Sequence, residues 1–393
     1  MPSELTGPGA FIEEQPGQVH AIRPTDTATT AFVGLAAQGP VDDPTEITSW
    51  AEYASLFGGA TGDGGQLSTA VALYFLNGGR RAVVVRTAGA GTTVDDHVPI
   101  DPGSGRGLYA LDQAEVVNVL CVPDLCAGPF SPQDRRTALE ACLAYCARRR
   151  AMLIVDPPPE WDSVAAIRSG TPLLTGATEN AALYVPRLTV RDPVTGVEVA
   201  RPPSGAVAGV WARTDALRGV WRAPAGGVSG TLDGVAGLTV ELTGTEIAEL
   251  SSLGVNCLRQ LPGAGPLVWG ARTLRGDSAT SGQWTYLPVR RLALHIEESV
   301  SRGTSWAVFE PNAEPLWEQL RRTVGSFLQG LWRVGALLGA TPDEAFLVRC
   351  GADTTTQHDI DRGVVNIVVG FAPLRPAEFV LLLIQQAASR TPA

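Results

Sequence analysis

Lysine is absent from the sequence, so arginine supplies all thirty basic side chains. That absence excludes Schiff-base chemistry, a Ser-Lys dyad and the phosphate-binding lysine of a P-loop, each of which needs a flexible primary amine. Histidine is scarce as well, with four residues in 393. They stand apart at His20, His97, His295 and His358, and "HIEES" at 295–299 offers one histidine where the H-E-x-x-H zinc motif needs two at helical spacing. No window approaches the roughly eighteen uninterrupted apolar residues of a membrane span, and the start "MPSELTGPGAFIEEQ" lacks the basic-then-apolar order of a secretion signal. Folding in the cytoplasm without membrane insertion is the expectation.

Six cysteines are too few for a disulfide framework. Cys121 in "VVNVLCVP" and Cys350 in "AFLVRC" lie inside apolar runs and read as small buried hydrophobes. Cys121, Cys126, Cys142 and Cys146 form one candidate metal set, though without the C-x-x-C knuckles of structural zinc. Asp353, His358, Asp359 and Asp361 in "GADTTTQHDIDRG" form a second, where Asp and Thr equally well cap tight loops. Metal binding at either set stays open, and no cofactor is expected.

Nucleotide and acyl-transfer motifs are missing too. "AVVVRTAGAGTTV" supplies Gly89 and Gly91 but Val94 in place of a third glycine, and the following "DDHVPIDPG" is no helix to hold a pyrophosphate. No G-x-S-x-G elbow occurs, so nucleophile, base and metal never assemble into a catalytic set. The net charge of −10, without long acidic blocks, favours solubility and argues against nucleic acid as a partner.

Apolar residues make up 45% of the chain, enough to build a large core. The periodicity predicts strand "TAFVGLA", helix "LSTAVALYFL" closed by Asn77 and Gly78, and strand "RAVVVRT". A loop of roughly two dozen residues follows. Strand "EVVNVLCVP" then leads to a helix with Ser131 as N-cap and Pro132 at its first position, and on to strand "AMLIVD". Unbroken apolar strands of this kind fit a parallel sheet covered on both faces. Residues 181–201 read as a strand and a hairpin, "PPSGAVAGVWARTDALRG" opens a helix, and "GTEIAELSSLG" is a short one. "VNCLRQLPGAGPLVWGART" reads as two strands about a Pro-Gly turn, "LPVRRLALHIEESVSRGTSW" as an amphipathic helix and "AVFEPN" as a strand. The longest helix is predicted over 314–338, with Leu316, Leu320, Val324, Phe327, Leu331 and Leu338 along one face. Strands "AFLVRC" and "VVNIVVGFAPL" follow. The fold class is α/β (mixed α+β), a central mixed sheet flanked by helices. Its segments are an arm at 1–30, the first part of the body at 31–86, a variable region at 87–200, a C-terminal core at 201–372 and a tail at 373–393.

"FVLLLI" (379–384) places six large apolar side chains in a row near the C-terminal end of this sequence. A strand apolar on both faces and without a hairpin mate is a good donor to another subunit's sheet; the alternative is an internal strand of its own.

Several stretches jointly resemble one family, the contractile tail sheath proteins of bacteriophages and related injection machines. They are "PPSGAVAGVWARTDALRGVWRAPAG" (202–226), "GVNCLRQLPGAGPLVWGARTL" (254–274), "VRRLALHIEESVSRGTSWAVFEPN" (289–312), "LWEQLRRTVGSFLQGLWRVGALLGATPDEAFLVRC" (316–350) and "DTTTQHDIDRGVVNIVVGFAPLRPAEFVLLLIQQ" (353–386), with a weaker "PGAFIEE" near the start. The resemblance implies a non-enzymatic subunit that polymerises into stacked rings around an inner tube and contracts to drive that tube through a target envelope. The implied partners are other copies, the inner tube protein, and baseplate and terminal cap proteins. The implied setting is assembly in the bacterial cytoplasm as part of a phage tail or a related particle. The implied strand links fall on Ala10, Phe11 and Ile12 and on Phe379, Val380, Leu381, Leu382, Leu383 and Ile384. A C-terminal helix would meet the tube, and Arg321, Arg322, Ser326, Gln329 and Arg333 are the candidates, against the alternative of a merely solvated face. The competing class is a cytoplasmic α/β enzyme or ligand-binding protein.

Overall fold

Short runs of unbroken apolar residues build the centre of the molecule. The structure, a computed structural model, describes residues 20–59, 65–89, 91, 93–171, 174, 176, 178–192, 195–276 and 282–375. Strands β1 (Thr30–Gly34), β2 (Thr45–Ile47), β3 (Ala82–Arg86), β4 (Val119–Cys121), β5 (Met152–Val155) and β6 (Ala181–Val185) belong to the main sheet. Strands β7 (Leu188–Arg191), β8 (Glu198–Arg201) and β9 (Gly237–Leu238) form a separate antiparallel sheet, after which β10 (Val255–Leu261) and β11 (Gly265–Trp269) complete the first. The main sheet runs β11-β10-β6-β5-β4-β1-β3-β2, with a parallel centre and an antiparallel strand at each edge. This is the mixed sheet expected from the sequence.

Every residue of β1, β4, β5 and β6 is buried, because helices cover both faces. Successive side chains alternate between two cores. Ala31, Val33, Leu120, Leu153 and Leu183 pack with Leu139 and Leu143 of helix Pro132–Arg148 and Leu250 of helix Gly244–Ser252. Phe32, Val84, Ile154 and Tyr184 pack with Val71 and Tyr74 of helix Gly65–Leu76 and Trp211 of helix Ser204–Arg218. Those last two helices touch backbone to backbone, since a Cβ on Gly205 or Gly209 would strike the Ala70 or Tyr74 carbonyl. Local chemistry sets the ends as read from the sequence. The Ser131 hydroxyl accepts from the Asp134 N–H at 3.1 Å with Pro132 at the first helical position.

Three local expectations need correction. The longest helix is Glu314–Arg333 and stops short of 338, because Gly335 turns the chain at φ 74°. Leu338 therefore leaves the apolar stripe, is 60% exposed, and donates its N–H to the Ala372 carbonyl. "AVFEPN" is no strand: a 3-10 turn at Ser305–Ala307 leads into bends, with Phe309 at φ 75°. The loop after β3 contains a capped helical turn, Val94–His97, and 3-10 turns at Pro102–Ser104 and Gly107–Gln113.

Residues 25–298, with 373–375, make one compact unit that holds both sheets; residues 20–24 and 299–372 make another. The joints read from the sequence at 86/87 and 200/201 fall inside the larger unit. The smaller contains β12 (Phe346–Arg349) and β13 (Val368–Phe371), an antiparallel pair beside the helix Glu314–Arg333. There Leu316, Trp317, Leu320 and Cys350 form a small core with Ile360, Val365 and Ile367 around it.

Candidate assembly surfaces

A parallel α/β sheet carries its ligands beyond the carboxyl ends of its strands, where the order reverses. Here that point lies between β1 and β4, and the protein's own side chains occupy it. The Asp124 carboxylate accepts the Leu35 N–H at 2.7 Å and fills the space a Cβ at Gly34 would need. Beyond β5, the Asp156 carboxylate accepts the Ser204 N–H at 2.8 Å. Burial pushes both carboxyls up to about 6. Beyond β6, the Arg187 guanidinium donates to the Cys126 and Pro157 carbonyls at 3.0 and 3.1 Å. Asp124, Asp156 and Arg187 thus hold main chain in place at this end of the sheet.

The two candidate metal sets resolve differently. Cys121, Cys126, Cys142 and Cys146 are buried free thiols in the apolar cores, and burial raises their pKa values, that of Cys142 to about 12. Asp359 closes a capping box with Thr356, accepting its N–H at 3.0 Å and its hydroxyl at 2.7 Å, while Asp361 accepts from the Gln357 amide at 2.8 Å. Among the described residues no group of three His, Cys, Asp or Glu stands close enough to hold a metal ion.

His97 is buried edge-on against Phe130, and neither ring nitrogen has a hydrogen-bond partner among the described residues. Burial lowers its pKa to about 4, with Asp96 opposing. The native state therefore binds fewer protons than the unfolded chain below about 6.5, and stability drains away as pH falls from there toward 4. His295 works in the same direction, while Asp124 and Asp156, raised in the native state, gain stability over the same range and mask the loss. The substitution His97→Leu isolates the first contribution. Its unfolding free energy relative to the parent should rise by about 2–3 kcal/mol between pH 7 and 4.5. Denaturant titrations of the unpolymerised subunit at the two pH values test this, and parallel shifts of both proteins would refute it.

On helix Glu314–Arg333 the stripe Leu316, Leu320, Val324, Phe327 and Leu331 is buried. Arg322, Ser326 and Arg333 are exposed on the other side, while Arg321 and Gln329 are half-buried. The guanidinium of Arg321 is drawn into its own unit, pairing with Glu314 at 2.6 Å and donating to the Cys350 carbonyl. Arg322 pairs with Glu318 one turn away at 3.2 Å, and Arg333 has no carboxylate in ion-pair range among the described residues. The structure thus brings Arg322, Ser326 and Arg333 together on one face and removes Arg321 from it. The strand-link residues Ala10, Phe11, Ile12 and Phe379 to Ile384 lie outside the described residues.

Periodicity marks β12 and β13 as strands but does not show that they pair as a sheet by themselves. Among the described residues no further strand pairs with either outer edge of this ribbon, and Leu347 and Val368 are each 47% exposed. Two strands alone are marginal in water, and unpaired edges are templates for another chain.

The main sheet holds buried polar groups at the switch point where such folds carry ligands, and the β12–β13 ribbon pairs with no further strand among the described residues. The profile of the phage tail sheath protein central domain matches residues 106–274, and that of the phage tail sheath C-terminal domain matches residues 279–387. The structure is similar to the anti-feeding prophage helical sheath in its contracted state, with 31% identity, 98% of this chain and 100% of that one covered, and a TM-score of 0.75. It is also similar to the PVC sheath complex of an extracellular contractile injection system in its contracted state, at 29% identity, 98% and 99% coverage and a TM-score of 0.76. A prophage major tail sheath protein of Pseudomonas aeruginosa (strain UCBPP-PA14) is 24% identical over 252 residues, 64% of this chain and 61% of that protein. The chain belongs to the phage tail sheath family.

Proposed function

We propose that this chain is the repeating subunit of a contractile sheath that assembles around an inner tube in an extended state and drives the tube by collective contraction. The driving energy is conformational, held in bistable packing between copies, and needs no catalytic step or nucleotide. The observation that carries this reading is the β12–β13 ribbon, whose outer edges no further strand pairs among the described residues. In it, segments 9–14 and 379–384 of adjoining copies find the strand partners they lack in sequence. Full-length similarity to sheath subunits of contractile injection systems supports it. The inner tube, a baseplate and a terminal cap are the further partners, and assembly takes place in the cytoplasm of the producing bacterium.

The ribbon permits a sharp test. Ala372 N–H donates to the Ala345 carbonyl at 2.8 Å. The alternation of an antiparallel ladder then places Gly370 and Val368 in the bonded pairs and turns the Val369 N–H outward. The substitution Val369→Pro removes that outward donor and leaves the ribbon's own bonds intact. Negative-stain microscopy should show tubules from the parent protein and none from the variant, with an unchanged unfolding midpoint. Tubules of normal length from the variant would overturn the ribbon's assigned role.

A further inference from the structure

Phe309 stands fully exposed in the loop between helices Leu287–Gly303 and Glu314–Arg333, with Val308 exposed beside it. Its φ of 75° lies in the left-handed region, which a residue with a Cβ enters only against a steric cost. The loop holds it there. Val308 N–H donates to the Ser305 carbonyl at 3.3 Å and Glu310 N–H to the Ala307 carbonyl at 3.2 Å. Asn312 ties down the far side, donating to the Val364 carbonyl at 3.0 Å and accepting from Trp317 Nε1 at 2.8 Å. A backbone strained to hold a large apolar ring in water brings an isolated subunit no benefit; it becomes favourable once the ring is buried elsewhere. The neighbouring Glu310 carboxylate is exposed and has no basic partner among the described residues.

The larger unit carries a complementary feature. An open groove of about 450 Å³ lies beside the β10–β11 hairpin, walled by Leu238, Leu242, Leu258 and Leu261. Arg259 lines it too, with its guanidinium over the Trp269 ring at 5.4 Å and no carboxylate in ion-pair range among the described residues. Glu241, the other charged side chain there, forms no ion pair with it.

We propose that Phe309 of one copy inserts into the Leu238–Leu261 groove of a second copy, with Glu310 facing Arg259. The proposal rests on the sheath reading above, and it adds a side-chain contact independent of strand exchange. Knob and groove are different surfaces, so a head-to-tail contact leaves each copy a free knob or groove for the next, and it can propagate as a ring or a helix. An apolar anchor beside an opposite-charge pair sets both affinity and register.

Charge exchange and crosslinking test it together. Glu310→Arg or Arg259→Glu alone should cut the pelletable polymer about tenfold, and the two combined should restore it. Phe309→Gly, which suits the left-handed backbone, should lower assembly by a similar factor while leaving the unfolding midpoint unchanged or raised. Phe309→Cys with Leu242→Cys should give a ladder of disulfide-linked multimers on oxidation of assembled sheath, which neither single variant gives. Polymerisation of the parent without that ladder, with no rescue by charge exchange, or with Phe309→Cys linking to the tube protein instead, overturns the contact and leaves the sheath reading standing. A parent protein that forms no polymer at all sinks the sheath reading, and this contact with it.

Discussion

Deletion of residues 377–393 should yield a subunit that folds, stays soluble and forms no sheath. Six large apolar side chains, Phe379 to Ile384, fall in the deleted stretch. At about 1.5–3 kcal/mol for each such side chain fully buried, strand donation places on the order of 10 kcal/mol in each joint before ordering costs. No surface contact of ordinary size replaces that. The body should be indifferent, because the two cores around β1, β4, β5 and β6 are closed by helices that end before residue 304. Sedimentation velocity should therefore report a monomer where the full chain sediments as polymer, and the unfolding midpoint should move by no more than a few degrees. The competing placement, an internal strand of the same subunit, predicts the opposite pattern: a large drop in midpoint. Recovery of normal-length sheaths from the truncated chain would remove strand donation from the account.

Local signals were legible wherever a side chain acts on its own backbone. Ser131 and Pro132 fix a helix start through one hydroxyl and one missing N–H, and both can be read directly. The unbroken apolar strands announced a sheet covered on both faces for the same reason: burial on two sides leaves no polar position. Strand order was not legible, since periodicity says that β5 is a strand but not that it lies between β4 and β6. Leu338 shows how an extrapolated pattern fails. It keeps the helical spacing of Leu331 and its predecessors, yet Gly335 ends the helix before that spacing can matter. Phe309 fails differently, because apolar "AVF" looks like strand while the left-handed backbone at Phe309 is set by turns on both sides. On the candidate tube face, Arg322, Ser326 and Arg333 are exposed where helical spacing placed them, while Arg321 and Gln329 are half-buried. The spacing did not reveal that Arg321 turns to Glu314 and the Cys350 carbonyl, since those partners come from the fold around the helix.

That difference between neighbouring arginines makes the second large effect testable. Arg322 and Arg333 are eleven residues apart, which at about 100° per residue leaves them within roughly 20° of one line on the helix. Both are exposed, and Glu318, the one carboxylate in ion-pair range of either among the described residues, pairs with Arg322 one turn away, an interaction worth about 0.3–0.5 kcal/mol. Reversing both, Arg322→Glu with Arg333→Glu, should thus leave the fold intact while changing the sign of the face. If that face meets an acidic surface on the tube, like charges then oppose each other along the whole contact, and each tube ring repeats the penalty. Tube protein should disappear from purified sheath, and empty sheath should still form, because the proposed strand exchange uses the terminal segments and the β12–β13 edges and not this helix face. Arg321→Glu provides the control. Its guanidinium serves Glu314 and the Cys350 carbonyl, so its reversal should lower the unfolding midpoint and leave tube recruitment per folded subunit unchanged. Undiminished tube in the double variant would leave these arginines as a solvated face and send the search for the tube contact to another element.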